Sequence, residues 1–241
     1  MFTSVFRLRA GRALLLCLIS VSCFASKNQE AFLNANKLCN QKKYKEALNL
    51  YTSIEKKGYA TWFNMGNCVF CLGNYVDAIL YWNRAKKTAP FSKHEVIDYN
   101  IAVAHDRLEV PQKTTCWDQF YDLLNLFSLF SLQVLLLCFW LGFFVSFIWI
   151  KKFRALILSL LLFLSIVLSV ILCLKYRARM YPAALVKSSL SMFTGPNEKY
   201  HEIAKLSVAD KVVVQKTDKN WYKIKSDGVT GWVLSDGVEI I

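Results

Sequence analysis

The sequence has few of the residues from which catalytic and metal sites are built. It contains three histidines in 241 residues, and His94, His105 and His201 lack the spacing of a metal site. It has no glycine-rich phosphate loop, no HExxH motif and no nucleophile elbow. Asp98 and Asp106 are best interpreted as solvated helix charges. These absences argue against an enzyme, and we expect neither a metal nor a cofactor.

Acidic residues are also scarce, with 17 Asp and Glu against 30 Lys and Arg, and the formal net charge is +13. Nucleic-acid binding would require this charge to form one basic face. The excess is instead divided among the N-terminal segment, the flanks of two apolar segments and the helical region. The charge pattern therefore excludes nucleic acid as a partner. Attraction to membrane lipid or to an anionic cell-wall polymer stays open.

Charge is absent altogether from a short segment, 13–24, near the N-terminus. Three arginines precede it and small residues follow, which predicts a signal peptide at 1–25. A run of about 12 residues is too short to cross a bilayer. Cys23 allows a second interpretation, the lipid-modified cysteine of a lipoprotein. The preceding residues 20–22 lack the leucine that usually stands three positions before such a cysteine.

Two longer segments without charge, 128–150 and 155–174, are each long enough to cross a membrane as a helix. Only residues 151–154 separate them, so they are predicted to form a transmembrane hairpin. After an export signal both soluble parts would lie outside the cytoplasmic membrane, and the basic turn would face the cytoplasm. The basic residues at 175–179 would then lie outside. The positive charges on the two sides of the membrane are nearly equal in number, so the predicted orientation rests on the signal peptide.

Residues 59–90 carry the clearest pattern in the chain. Their spacing resembles the tetratricopeptide repeat at Trp62, Met65, Gly66, Ala78, Trp82, Ala85 and Pro90. The small residues Gly66 and Ala78 would let two antiparallel helices approach closely, while Trp82 fills the space between them. Pro90 would end the second helix. Repeats of this kind bind peptides and proteins and rarely catalyse reactions.

A degenerate copy precedes this repeat, because Tyr44, Ala47 and Tyr51 recur 31 residues later as tyrosine, alanine and tryptophan. A standard repeat has about 34 residues, so the first unit is short, and the missing residues fall near 56–58. Its first helix is predicted at 30–40. Residues 93–108 are predicted to be a third helix of the same kind or a capping helix. The sequence thus predicts an all-α repeat domain at 28–108.

Asparagines recur on the first helix of each predicted unit. An amide both donates and accepts hydrogen bonds, so asparagines on the inner face of a repeat array can hold a peptide backbone. The candidate peptide-binding residues are Asn36, Asn64, Asn67 and Asn100, with Phe63 and Phe70 beside them. The alternative is that asparagine only fills a common position of the motif.

Four of the eight cysteines lie outside both the signal peptide and the apolar segments: Cys39, Cys68, Cys71 and Cys116. Cys68 and Cys71 have the CxxC spacing of redox proteins. Reactive pairs lie at a helix N-terminus, whereas these fall in mid-helix, so Cys68 is interpreted as a packing residue. An even number of cysteines in an oxidising compartment also allows a structural disulfide, whose connectivity the sequence leaves open.

The pattern changes from helical to strand-like after residue 182. Short runs rich in Val, Trp and Tyr alternate with turn residues at 184–186, 210–214, 221–224, 231–233 and 238–240. With the dipeptides at 195–196 and 227–228, segment 183–241 resembles a bacterial SH3 domain, a small all-β barrel. The preceding segment 109–127 is predicted to be a linker followed by a short amphipathic helix at the membrane surface.

Four aromatic residues of this β segment are candidates for a ligand patch: Tyr200, Trp221, Tyr222 and Trp232. SH3-type barrels present aromatic side chains to peptides, and here the ligand would be a peptide or a cell-wall glycopeptide. The alternative is that Trp221 and Trp232 hold the small barrel core together.

The order of signal peptide, short repeats, hairpin and SH3-like domain resembles one family, the BatE-like proteins of the aerotolerance operon. Segments 64–68 and 78–85, which read NMGNC and AILYWNRA, are similar to the family's repeat signatures. The resemblance implies a non-enzymatic envelope protein that works with von Willebrand A-type membrane partners in oxidative-stress tolerance.

We therefore expect a multidomain, membrane-anchored adaptor that binds protein or peptide partners outside the cytoplasm through its repeats and its SH3-like domain. The alternative is a peptidoglycan-binding envelope protein that acts mainly through the SH3-like domain. A third possibility, a thiol-redox protein built on Cys68 and Cys71, would require a thiol of low pKa.

Overall fold

The structure, a computed structural model, describes residues 27–113, 120, 127–149 and 154–241. These residues belong to two units, a helical one that ends at Leu108 and a second one that contains the chain from Glu109 to Ile241. The predicted signal peptide, most of segment 109–127 with Cys116, and residues 151–153 of the basic turn lie outside the described residues.

The helical unit contains, in its described part, five α-helices that follow one another along the chain. They are α1 (27–40), α2 (Tyr44–Ser53), α3 (Tyr59–Cys71), α4 (Tyr75–Thr88) and α5 (His94–Leu108), and a 3-10 turn (Phe91–Lys93) precedes the last. From α2 onwards each helix packs against the next. The predicted helical region is confirmed. Its assignment to the tetratricopeptide repeat stays a prediction.

The turns after α1 and α3 have the same geometry. The turn after α3 contains Gly73 at φ +83°, and the turn after α1 contains Lys42 at φ +61°. The amide of Lys43 donates to the carbonyl of Leu38, and the amide of Asn74 donates to the carbonyl of Val69, both at 2.9 Å. This is the Schellman arrangement. Lys42 and Gly73 are 31 residues apart in the sequence. In the turn after α1 a lysine therefore takes the left-handed conformation that glycine adopts without steric cost in the turn after α3.

Helices α3 and α4 approach each other closely at Gly66. A Cβ atom added there would lie 2.5 Å from the ring of Trp82. The indole nitrogen of Trp82 donates to the carbonyl of Phe63 at 3.2 Å and to Oδ1 of Asn67 at 3.1 Å. Ala78, on the same helix as Trp82, is fully buried. Glycine and alanine therefore let these helices approach as the sequence predicted, and the indole fills the gap.

Two apolar helices open the second unit, α6 (Leu129–Trp149) and α7 (Arg154–Met180), and they pack against each other. The candidate spans are Leu129–Ile148 and Ala155–Met180, and their most apolar 18-residue stretches have mean hydropathies of 2.2 and 3.1, so both helices could span a membrane. The second helix continues six residues past the predicted end at 174. Its last turns carry Lys175, Arg177 and Arg179, and cations there interact favourably with the helix dipole.

Seven antiparallel strands form one sheet in the order β3-β2-β6-β5-β4-β1-β7. They are β1 (Ala183–Val186), β2 (Leu190–Phe193), β3 (Glu202–Leu206), β4 (Lys211–Asp218), β5 (Trp221–Ser226), β6 (Val229–Leu234) and β7 (Val238–Ile240). The predicted runs fall in β1, β4, β5, β6 and β7. Strands β2 and β3 were not predicted, because neither contains the valine and aromatic clusters that marked the others.

The core of the sheet comes from strand alternation. Apolar side chains from all seven strands meet on its inner side, and they include Val186, Met192, Val212, Ile224 and Val233. Successive residues of a strand point to opposite faces. Each strand that contributes to this core therefore presents its intervening residues on the outer side.

The close contact at Gly66 predicts that Gly66→Ala lowers stability. The added methyl overlaps the Trp82 indole, at a cost of about 1–3 kcal/mol for overpacking. This exceeds the gain in helix propensity of roughly 1 kcal/mol. Urea unfolding of the full chain in detergent micelles, followed by the helical circular dichroism signal, measures the change. Gly58→Ser is the control, because a Cβ at Gly58 meets nothing within 4 Å.

The left-handed conformation of Lys42 predicts that Lys42→Gly raises the free energy of unfolding by about 0.5–1 kcal/mol, since glycine adopts this conformation without steric strain. The same urea titration measures it. Lys45→Gly, on the exposed side of α2, should lower stability by about 1 kcal/mol. A destabilised Lys42→Gly variant would contradict the turn geometry.

Candidate functional site

Two of the predicted peptide-binding asparagines meet in the helical unit. The buried Tyr51 hydroxyl of α2 donates to Oδ1 of Asn36 at 2.6 Å. Nδ2 of Asn64 donates to the same Oδ1 at 3.0 Å and to the Tyr51 oxygen at 3.2 Å. Three helices thus contribute one side chain each to this polar cluster of Asn36, Tyr51 and Asn64. Each hydrogen bond is intramolecular, so the cluster joins α1, α2 and α3.

The polar cluster still has hydrogen-bonding capacity left. Among the described residues, none bonds Nδ2 of Asn36 or Oδ1 of Asn64. One is a donor and the other an acceptor, which are the two groups that a peptide backbone requires. Both side chains are half-buried. A role in holding a peptide is therefore compatible with the geometry and stays a prediction.

The other predicted groove residues lie apart from this cluster. Oδ1 of Asn67 accepts the Trp82 indole proton. Phe70 packs against Tyr75 and Trp82, with ring centroids 5.2 and 5.5 Å apart. Both residues thus contribute to the α3–α4 contact. Phe63, on the same helix, is also half-buried.

The last candidate, Asn100, is half-buried on α5. The helical unit as described gives its side chain no hydrogen bond. Asn100 is therefore the groove candidate whose side chain has the most unused hydrogen-bonding capacity.

Cysteines lie next to the polar cluster. Sγ of Cys39 is 2.8 Å from Sγ of Cys68 and 3.7 Å from the Tyr51 oxygen. Burial, followed by the contact with Cys39, raises the pKa of the Cys68 thiol. Cys68 therefore lacks the low pKa that a thiol-redox protein built on Cys68 and Cys71 would require. Within the described residues, no three His, Cys, Asp or Glu side chains group as a metal site requires.

The β domain carries an aromatic surface on its outer side. Trp221 and Lys223 alternate along β5 with Tyr222 and Ile224, which face the core. On β6, Trp232 alternates with Gly231 and Val233, both of which are buried. The two tryptophans therefore share the side of the sheet that faces away from the core.

Strand register brings these outer residues together. On β6, Trp232 lies opposite Lys223 of β5 and opposite Phe193 of β2. The rings of Phe193 and Trp221 meet edge to face, with centroids 5.9 Å apart. We call Phe193, Trp221, Lys223 and Trp232 the outer aromatic face. All four side chains are half-buried.

A shallow depression of ≈ 390 Å³ adjoins this face at Trp221. Its lining residues are Pro196, Asp218, Lys219, Asn220 and Trp221. Tyr200 lies on the loop that supplies Pro196, and its ring packs so closely on Gly195 that an added Cβ would be 2.7 Å away. Tyr200 is 53% exposed. An open depression between a loop and an aromatic strand suits an extended ligand more than an enclosed small molecule.

The predicted ligand patch is thus only partly assembled. Trp221 and Trp232 come together, and Tyr200 lies on the neighbouring loop. Tyr222 packs against the core on the opposite side of the sheet. Phe193 was missed because its strand was missed. The available sequence signal was its position two residues before the Gly195-Pro196 turn.

The comparisons with known proteins identify one part of the chain. Residues 188–239 match the family model of the bacterial SH3 domain. This segment contains β2 to β6 and every residue of the outer aromatic face, so the predicted bacterial SH3 domain is confirmed. No curated protein matches the chain.

The hydrogen bonds of the polar cluster predict that Asn64→Ala destabilises the helical unit by about 1–2 kcal/mol, because Asn36 and Tyr51 lose a shared donor. Asn100→Ala is the matched control and should leave stability unchanged or slightly raised, since alanine favours a helix. Urea unfolding of the full chain in micelles compares them. Equal effects of the two substitutions would contradict a structural role for Asn64.

Proposed function

We propose that this protein is a membrane-anchored adaptor that binds an extended peptide segment of a partner protein on the outer aromatic face of its SH3 domain. The observation that carries the proposal is the meeting of Phe193, Trp221 and Trp232 on the side of the sheet opposite the core. The match of 188–239 to the bacterial SH3 domain supports binding to protein or to cell wall. The proposed action is binding and not catalysis.

The position of the tryptophans favours a ligand role over a core role. Aromatic side chains that hold a core together face inward, as Tyr222 does. Trp221 and Trp232 keep part of their rings in water, beside a depression lined by Pro196 and Asn220. Removing apolar ring surface from water favours binding by roughly 25 cal/mol per Å². An extended peptide can cover these rings and place polar backbone groups over the depression.

The two apolar helices would place the proposed binding surface at a membrane. Helices α6 and α7 could hold the SH3 domain at a membrane surface, and the predicted signal peptide supports the outer side of the cytoplasmic membrane. Tethering raises the effective concentration of a partner in the same membrane, so a weak contact suffices. The resemblance to BatE-like proteins supports von Willebrand A-type membrane partners and a role in aerotolerance.

The helical unit supplies the second binding surface in this proposal. Nδ2 of Asn36 and Oδ1 of Asn64, which make no hydrogen bond within the described part of the chain, both belong to the polar cluster with Tyr51. A partner segment bound there would add hydrogen bonds to the polar cluster without displacing those already made. Contacts at both surfaces would make the chain a scaffold between two partners.

We predict that Trp221→Ala and Trp232→Ala each reduce partner recovery at least tenfold in crosslinking of intact membranes followed by mass spectrometry. Each substitution removes ring surface from the proposed interface, and about 1.4 kcal/mol corresponds to tenfold in affinity. Val229→Ala is the control, because Val229 is exposed at the opposite end of the β5–β6 hairpin from Trp221. Thermal unfolding verifies that all three variants fold.

Sedimentation of the full chain with purified peptidoglycan tests the alternative ligand. The adaptor proposal expects crosslinked proteins that depend on Trp221 and Trp232, and little sedimentation with the wall. If sedimentation with the wall depends on Trp221 and Trp232 and no protein crosslink does, the adaptor proposal is wrong and a cell-wall-binding function takes its place. Crosslinks unaffected by either substitution would contradict the assignment of the outer aromatic face.

A further inference from the structure

We infer that Cys39 and Cys68 form a disulfide that joins α1 to α3 when a disulfide oxidant reaches the folded chain. Their sulfur atoms are 2.8 Å apart, and both residues are thiols in the structure. A disulfide bond is about 2.05 Å long, so the two sulfurs need to move only about 0.8 Å closer. The inference goes beyond the proposed binding function and depends on it only for the oxidising location.

The local packing holds this pair together. Cys39 is one helical turn beyond Asn36, and Cys68 is one turn beyond Asn64. The hydrogen bond between these two asparagines, at 3.0 Å, already fixes α1 against α3 at the neighbouring turn. Cys39 also contacts the oxygen of Tyr51. The thiols are therefore placed by contacts on which the fold of the helical unit depends.

The other described cysteine of this unit is a less suitable partner. Cys71 lies three residues after Cys68 on the same helix, is exposed, and raises the pKa of Tyr44 by a hydrogen bond to its hydroxyl. A bond between Cys68 and Cys71 would tie two positions of one helix and join no separate elements. Cys39 and Cys68 lie 29 residues apart, so their bond closes a long loop of the unfolded chain.

The reaction is a thiol–disulfide exchange in two steps, with a small-molecule or protein disulfide as the oxidant. The half-buried Cys39, as a thiolate, attacks one sulfur of the oxidant and releases the first thiol. Cys68 then loses its proton, attacks the Cys39 sulfur of the mixed disulfide and releases the second thiol. The two cysteines lose two electrons and two protons in total, and the oxidant gains both.

The two steps should differ in rate. Cys68 is buried, and burial raises the pKa of its thiol above the ordinary value. The thiolate fraction of such a group is small at neutral pH and grows as the pH rises toward its pKa. Closure of the mixed disulfide should therefore accelerate with pH. The finished bond, enclosed between two helices, should be protected from external reductants.

The bond would fix the spacing of the polar cluster. Tying α1 to α3 one turn away from Asn36 and Asn64 keeps the donor and acceptor of this pair at a constant separation. Reduction would leave only hydrogen bonds to hold that spacing. A peptide-binding site that includes both asparagines would then be more rigid in the oxidised chain than in the reduced one.

The test uses the full chain purified in detergent and treated with oxidised glutathione. After unfolding without reductant, alkylation with a mass-tag reagent should label two fewer thiols than in a sample reduced before unfolding, and peptide mapping should show Cys39 linked to Cys68. The same loss of two labels should occur in Cys71→Ser and be absent from Cys68→Ser. The oxidised chain should unfold about 10 °C above its reduced form, a difference that Cys39→Ser abolishes.

Full labelling of the oxidised chain, once it is unfolded without reductant, would overturn the inference. So would a bond that persists in Cys68→Ser and disappears in Cys71→Ser. A parallel experiment labels thiols in intact cells before lysis. A bond formed in the purified chain but absent from cells would uphold the cysteine pair and contradict the extracytoplasmic location under the proposed function, so the two can fail separately.

Discussion

The helical unit depends on the close contact of Gly66 with Trp82. No side chain larger than hydrogen fits at Gly66, because the indole of Trp82 occupies that space. The indole proton is then shared between the Phe63 carbonyl and Asn67, so packing and hydrogen bonding fix the same geometry. With α3 held in this way, its other face presents Asn64 and Cys68 to α1 and α2. The polar cluster and the cysteine pair both follow from this one contact.

In the β domain, the corresponding constraint is the alternation of side chains along a strand. It separates Tyr222 from Trp221 although they are adjacent in sequence, and gives one to the core and the other to the outer aromatic face. Pairing of β2 with β6 then adds Phe193 to that face. A small sheet thus builds its core on one side and leaves the outer aromatic face, the proposed ligand surface, on the other. The proposed adaptor function uses this second side.

Much of the architecture could be predicted from sequence because it follows from local patterns. Two runs of about 20 residues without charge predicted α6 and α7, because a helix of that length and composition matches the thickness of a bilayer. Valine and aromatic clusters predicted five strands, and the match of 188–239 confirms the SH3 domain they suggested. Strands β2 and β3 were missed because LSMF and EIAKL carry no strong strand signal. Their conformation is imposed by pairing with neighbours, which a local pattern does not contain.

The sequence by itself determined the order of the parts: a helical region, two apolar helices and a small antiparallel β domain. Only the tertiary structure decided which of the candidate residues meet. It joined Asn36 to Asn64 and Cys39 to Cys68, set Tyr222 apart from the tryptophans, and added Phe193 to them. Composition and periodicity act over a few residues and are visible along the chain. Contacts between residues about 30 positions apart depend on how helices and strands pack.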